Sequence, residues 1–209
     1  MRPHRLRSVL VTAAVVAAAA VSGTAPASAQ APAAAHTAPA SAPASLPASA
    51  LTSLTELFAE RLLLADKVAA AKYGTDLPID DPARERQILD DVAARAAGLG
   101  LDPDSVTAVF RDQIEANKLV QRGLYARWDA HPDERPTERP DLAKEVRPAL
   151  DLITTRLLAA LQATAPVRAD ASCEPRLYAA AALSAYGHRL DVLHLKGLGR
   201  ALPSVCDTD

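Results

Sequence analysis

Residues Glu60 to Glu85 read ERLLLADKVAAAKYGTDLPIDDPARE, and their periodicity decides the fold. Arg61 and Lys72 are eleven residues apart, about three helical turns, so both project from nearly one side of a helix. That side is apolar. At about 100° per residue, Leu54, Leu57, Phe58, Ala65 and Val68 all fall within roughly 60° of Arg61. Cations in a core-facing stripe are costly unless an anion meets them. Arg84 follows LPIDDP, in the first turn of the next predicted helix, where a cation opposes the helix dipole by about 0.3–1 kcal/mol. Singly, each would be a snorkelling side chain with its head in water. Jointly they break local rules in a way that marks a functional site.

Outward from this stretch, the first 29 residues read as an export signal. Arg2, Arg5 and Arg7 form a basic start, Val9 to Val21 an apolar run, and Ala27-Ser28-Ala29 a small-residue cleavage site. The apolar run is shorter than the roughly 20 residues a spanning helix needs. Cleavage before Gln30 removes three arginines and takes the net charge from −2 to about −5. There is no basic run to suggest a nucleic-acid surface, and no membrane association is expected after cleavage. Residues 30–50 are almost wholly Ala, Pro, Ser and Thr, a composition that cannot bury a core and predicts a disordered tether. Residues 51–209 suit one folded domain.

That domain is predicted all-α, since Ala and Leu abound and no alternating strand pattern occurs. Ser53 with Glu56 forms a capping box for a first helix running to about Tyr73. Asp81-Pro82 starts a second, closed by Gly98 and Gly100, and Asp102-Pro103 a third, reaching about Ala130. The loop HPDERPTERP ends the third. A fourth covers Leu142 to Ala165, with Pro148 either kinking it or resetting its start. Cys173 and Cys206 are the only cysteines, so one disulfide is the default in an exported chain, free or intermolecular thiols being the alternative. A bridge requires the segment between them to fold back, and Gly187 is the expected bend between two short antiparallel helices.

Uncharged amides form a second anomaly. Val106, Phe110, Leu124 and Trp128 lie within about 20° of Asn117 on the third helix, and Gln113 and Gln121 within about 40°. A buried amide without a partner costs about 1–3 kcal/mol, so each is either bonded to another helix or part of a site. Arg156 repeats the theme on the fourth helix, flanked by Ala149, Leu152, Ala160 and Ala163. No metal motif, glycine-rich phosphate loop, nucleophile elbow or nucleophile–base pair is legible. His188, Asp191 and His194 are an incomplete ligand set, either a metal site or solvated helix residues, and no metal or cofactor is expected. What remains is a set of cationic and amide donors suited to a small anion with more than one carboxylate. Such a pocket works by positioning and charge stabilisation.

The pattern Arg61, Lys72, Asp81-x-x-Arg84-Glu85-Arg86, then Gln113-Ile114-x-Ala116-Asn117-Lys118-x-x-Gln121, resembles the all-helical, AroQ-type chorismate mutases. Arg156, the two cysteines and the leader are similar to the exported, gamma-type subclass. The resemblance runs from about Leu54 to Cys206 and implies an all-α homodimer converting chorismate to prephenate without a cofactor. By position, it implies that Arg61 and Arg156 hold the substrate carboxylates and that Lys72 and Gln121 donate to the ether oxygen. Arg84 would support the cationic wall, Asn117 contact the ring-carboxylate side, and Asp81 with Glu85 face the substrate hydroxyl. Some exported members carry an acid where Gln121 stands, and Glu85 is not uniform among them. Arg156 would complete the pocket within one chain, where intracellular relatives borrow a cation from a partner. Two other readings share the scaffold: an isochorismate pyruvate-lyase, separable by assaying both substrates, and a non-catalytic exported binding module. The retained donors argue against the module, because a pure scaffold tolerates apolar replacement of buried cations.

Overall fold

The computed structural model describes residues 48–206, all of whose regular structure is helical. The expected leader and residues 30–47 of the expected tether lie outside the described residues. The helices are α1 (Ala48–Lys72), α2 (Pro82–Gly98), α3 (Pro103–Ala130), α4 (Arg147–Arg168), α5 (Cys173–Gly187) and α6 (Val192–Arg200). A 3-10 turn at Pro132–Glu134 and a π-helical turn at Leu142–Val146 complete the set. α1 packs against α3, α4, α5 and α6, so its stripe is the centre of the core. Leu54, Leu57, Phe58, Ala65 and Val68 are all buried there, as the periodicity predicts.

Caps set most of the boundaries. The Asp81 carboxylate accepts the Arg84 N–H at 3.0 Å, and Pro82 begins α2 where a missing N–H costs nothing. Asp102 caps α3 by accepting from Asp104 and Ser105. α2 and α3 span the lengths that their caps and glycines imply. α1 departs from expectation: it begins at Ala48, so Ser53 lies inside the helix and not at its cap. The alanines before it extend the helix into the edge of the expected tether. α4 starts at Arg147 with Pro148 in its first turn, so the proline resets the helix after the π-turn. α4 also runs past Ala165 through Pro166 to Arg168. Tertiary bonds hold that last turn: Arg168 Nε donates to the Val205 carbonyl at 2.6 Å and Nη2 to Ser105 Oγ at 2.8 Å.

Cys173 and Cys206 form the disulfide, with Cα atoms 5.8 Å apart and a sequence separation of 33. By loop length it contributes about 2–4 kcal/mol. α5 ends at Gly187, but the left-handed residue of the bend is Arg189, at φ 52°. A Cβ at Gly187 would meet nothing within 4 Å, so the reversal does not require a glycine there. At Gly197 it would come within 2.9 Å of Leu62 and Val120, which is how α6 settles onto α1 and α3. Gln113 is the structural amide of α3, donating to the Ala201 carbonyl at 3.3 Å.

His194 and His188 do not form a metal site. The His194 ring is buried, with Nδ1 2.7 Å from Asp191 and Nε2 3.0 Å from Asp66, so both nitrogens are engaged. The hydrogen bond to Asp66 and then that to Asp191, against the opposing effect of burial, raise its pKa to about 9. The folded value lies above the unfolded one, about 6.5, so this stabilisation is full below pH 6.5 and is lost as pH rises toward 9. Stability measured by denaturant should therefore fall between pH 6 and pH 9, by an amount that solvent screening of the half-exposed Asp66 and Asp191 reduces. His194→Gln should flatten that dependence; an equal fall in the variant would assign it elsewhere.

Candidate active site

A cavity of about 570 Å³ lies among α1, α2, α3, the π-turn and the start of α4. Seven of the eight sequence-nominated site residues line it: Arg61, Lys72, Asp81, Arg84, Glu85, Asn117 and Gln121. Each element contributes one face. α1 supplies Arg61 and Lys72 from its buried stripe, the start of α2 supplies Asp81, Arg84 and Glu85, and α3 supplies Asn117 and Gln121. The α1–α2 connection closes one side with Leu77, Pro78 and Ile79.

Arg61 is 5% exposed, and its Nε and Nη1 are buried without a hydrogen-bond partner. Burial pulls its pKa down to about 10, against the opposing attraction of Asp151. Unpaired buried donors of a charged group cost more than the roughly 1–3 kcal/mol of a neutral one, and an anion in the cavity would offset that cost. Lys72 is half-buried and donates to the Pro78 carbonyl at 2.8 Å. Burial lowers its pKa, Asp81 opposes this, and the charge of Arg147 lowers it further. Gln121 Nε2 donates to Asn117 Oδ1 at 2.7 Å, and its Oε1 is buried without a partner. Asn117 thus occupies one N–H of that amide and leaves the other for a ligand.

Arg156 is not part of the cavity. Its guanidinium is half-exposed and paired with Glu60 at 2.7 Å, and its neighbour Leu152 is 62% exposed. The fourth-helix cation that lines the cavity is Arg147, with Leu150, Asp151 and Thr154 on the same face. Arg156 follows Arg147 by nine residues, about 180° around the helix, so the two point in opposite directions. The signal for Arg147 was present: it sits in the first turn of α4 beside Pro148, opposing the dipole as Arg84 does in α2. Arg95 also lines the cavity, paired with Asp91 at 3.4 Å and donating to Thr155 Oγ1 at 2.8 Å. Among the described residues, no cluster of His, Cys, Asp and Glu could hold a metal ion.

A wall of fixed cations and one oriented amide can bind a compact dianion and stabilise negative charge on an ether oxygen as its bond breaks. Comparison with known proteins points to the same chemistry. Residues 52–122 match the family described as chorismate mutase type II. The chain is 35% identical over 156 residues to the secreted chorismate mutase of Mycobacterium tuberculosis, covering 75% of this chain and 78% of that one. Its fold is similar to the crystal structure of chorismate mutase from Burkholderia thailandensis, at TM-score 0.72 and 42% identity over 76% of this chain and 99% of that one. The Burkholderia phymatum enzyme is equally close in fold, at TM-score 0.74 and 36% identity over 77% of this chain and 98% of that one. The oxyanion-type donor set and these likenesses agree: the chain belongs to the type II chorismate mutases, isomerases that rearrange chorismate to prephenate.

Proposed function

We propose that the cavity rearranges chorismate with Arg61 and Arg147 on its carboxylates and Lys72 and Gln121 on its ether oxygen. The unpartnered guanidinium of Arg61, in the same cavity as Lys72 and Gln121, is the observation that carries this assignment. The ether C–O bond breaks as the new C–C bond forms within one molecule, so no proton, metal or cofactor enters the balance. Lys72 releases the Pro78 carbonyl and turns its ammonium to the oxygen where charge grows. Gln121 adds its free N–H, with the amide held in orientation by Asn117. Arg84 deepens the cationic wall, and Asp81 and Glu85 receive the substrate hydroxyl. The chain would be exported, as its basic and apolar start and the names of its secreted relatives suggest. It would act as a homodimer in which each protomer carries a whole pocket, since Arg147 is supplied by the same chain.

The protein lacking residues 1–29 should consume chorismate, followed by its loss of ultraviolet absorbance, and release prephenate. Release of pyruvate from isochorismate at a higher kcat/KM would instead make it a lyase. Arg147→Ala should lower kcat/KM by about 2–4 kcal/mol of transition-state stabilisation, roughly 30- to 1000-fold, while Arg156→Ala stays within about threefold of wild type. The reverse ranking would return the carboxylate-binding role to Arg156.

A further inference from the structure

Lys118 lines the cavity and is 8% exposed, yet it is placed to serve the protein and not a ligand. Its Nζ lies 3.2 and 3.3 Å from the two oxygens of Glu85, 3.2 Å from Asp80, and in an ion pair with Glu115. An ammonium has three N–H donors, and three carboxylates account for all of them. No donor is left over for an anion in the cavity, so Lys118 can influence the reaction only through its partners.

Of those partners, Glu85 is the one that lines the cavity, from the first turn of α2. Its carboxylate straddles one ammonium with both oxygens, which fixes its plane while leaving lone pairs on each oxygen for a hydroxyl donor. Asp80, immediately before the α2 cap, is gripped on its other side by Arg122 at 2.7 and 2.8 Å. Lys118 therefore ties α3 to the loop end and to the first turn of α2 at once. Burial opposes its charge, but the three carboxylates together keep its pKa above the ordinary lysine value.

We propose that Lys118 is a positioning residue for substrate recognition, holding the Glu85 carboxylate fixed and aimed so that it accepts the ring hydroxyl of chorismate. This rests on the reading of the cavity as the chorismate site. Glu85 contacts the hydroxyl equally in the ground state and the transition state, so loss of its aim is felt in KM and little in kcat. A network that merely braced α2 against α3 would behave differently. Its loss would lower Tm and depress turnover of every substrate alike.

The test compares chorismate with the analogue lacking the ring hydroxyl, using the full folded protein, Lys118→Met and Glu85→Gln. With chorismate, Lys118→Met should raise KM about tenfold and change kcat less than about threefold. The wild-type protein should bind the analogue about tenfold more weakly than chorismate, and Lys118→Met should weaken it no further. Glu85→Gln, which retains the side chain's shape, should show the same substrate-selective pattern if Lys118→Met folds poorly. Equal losses for both substrates in either variant, or penalties that add fully in the double variant, would overturn the proposal. A wild-type protein that leaves chorismate unchanged would instead overturn the assignment of the cavity, a result these ratios do not resemble.

Discussion

Arg61→Met should abolish most of the activity and leave the fold more stable. The guanidinium is buried with two donors unpaired, and Asp151, the acid that offsets its charge, stands exposed. A Met of similar reach removes the unsatisfied donors and the desolvated charge, a change worth about 1–3 kcal/mol of stability. The same substitution removes an aimed charge from the anion site and should lower kcat/KM by at least about 2–4 kcal/mol. Stability measured by denaturant and kinetics on chorismate should therefore move in opposite directions. A variant that is both less stable and still active would show that Arg61 is a structural cation with a partner in solution. Chorismate or an inert dianionic analogue should also raise the Tm of the wild-type protein and barely that of the variant, because binding to the folded form is stabilising by mass action.

Gln121→Glu should convert a flat pH profile into a steep one. An amide donates its N–H at any accessible pH, whereas a carboxyl can donate only when protonated. In its ionised form a Glu would set negative charge against the charge growing on the ether oxygen. Lys72 and Arg61 in the same cavity would favour that ionised form. The wild-type rate should stay level from about pH 5 to 8 and fall on the alkaline side below the usual lysine pKa of about 10.5, because burial and then Arg147 draw Lys72 down against the pull of Asp81. The variant should be roughly 100-fold or more slower at pH 8 and recover toward acid with a single protonation. Equal rates of the two proteins at pH 8 would place Gln121 away from the breaking bond. The Asn117 contact makes the comparison sharper, since Asn117 Oδ1 now receives a Gln121 N–H that an ionised Glu could not supply.

Local pattern carried much of the architecture. Cap residues and prolines are short-range devices, so Asp81-Pro82 and Asp102-Pro103 revealed the starts of α2 and α3 without any knowledge of their neighbours. The α1 stripe was equally legible, because its large apolar residues fall on one side and leave Arg61 conspicuous among them. Lys72, Arg84, Asn117 and Gln121 stand out by residue type in the sequence, and the fold brings all four to one cavity. The two cysteines in a chain read as exported likewise determined their own pairing.

α4 shows what only the tertiary structure decided. It is rich in Ala and Leu on several faces, so spacing offers more than one apolar stripe, and the one containing Arg156 turned out to face water. The cavity face was chosen by packing: Ile153, Leu157, Leu158 and Leu161 dock into the core, which carries Arg147 and Thr154 to the cavity and Arg156 to the far side. The same holds for His194, whose partner Asp66 is 128 residues away, and for Lys118, which joins α3 to α2. Period and caps specify how a helix is built. Its rotation about its own axis, and the partner each polar side chain meets, depend on contacts distant in sequence.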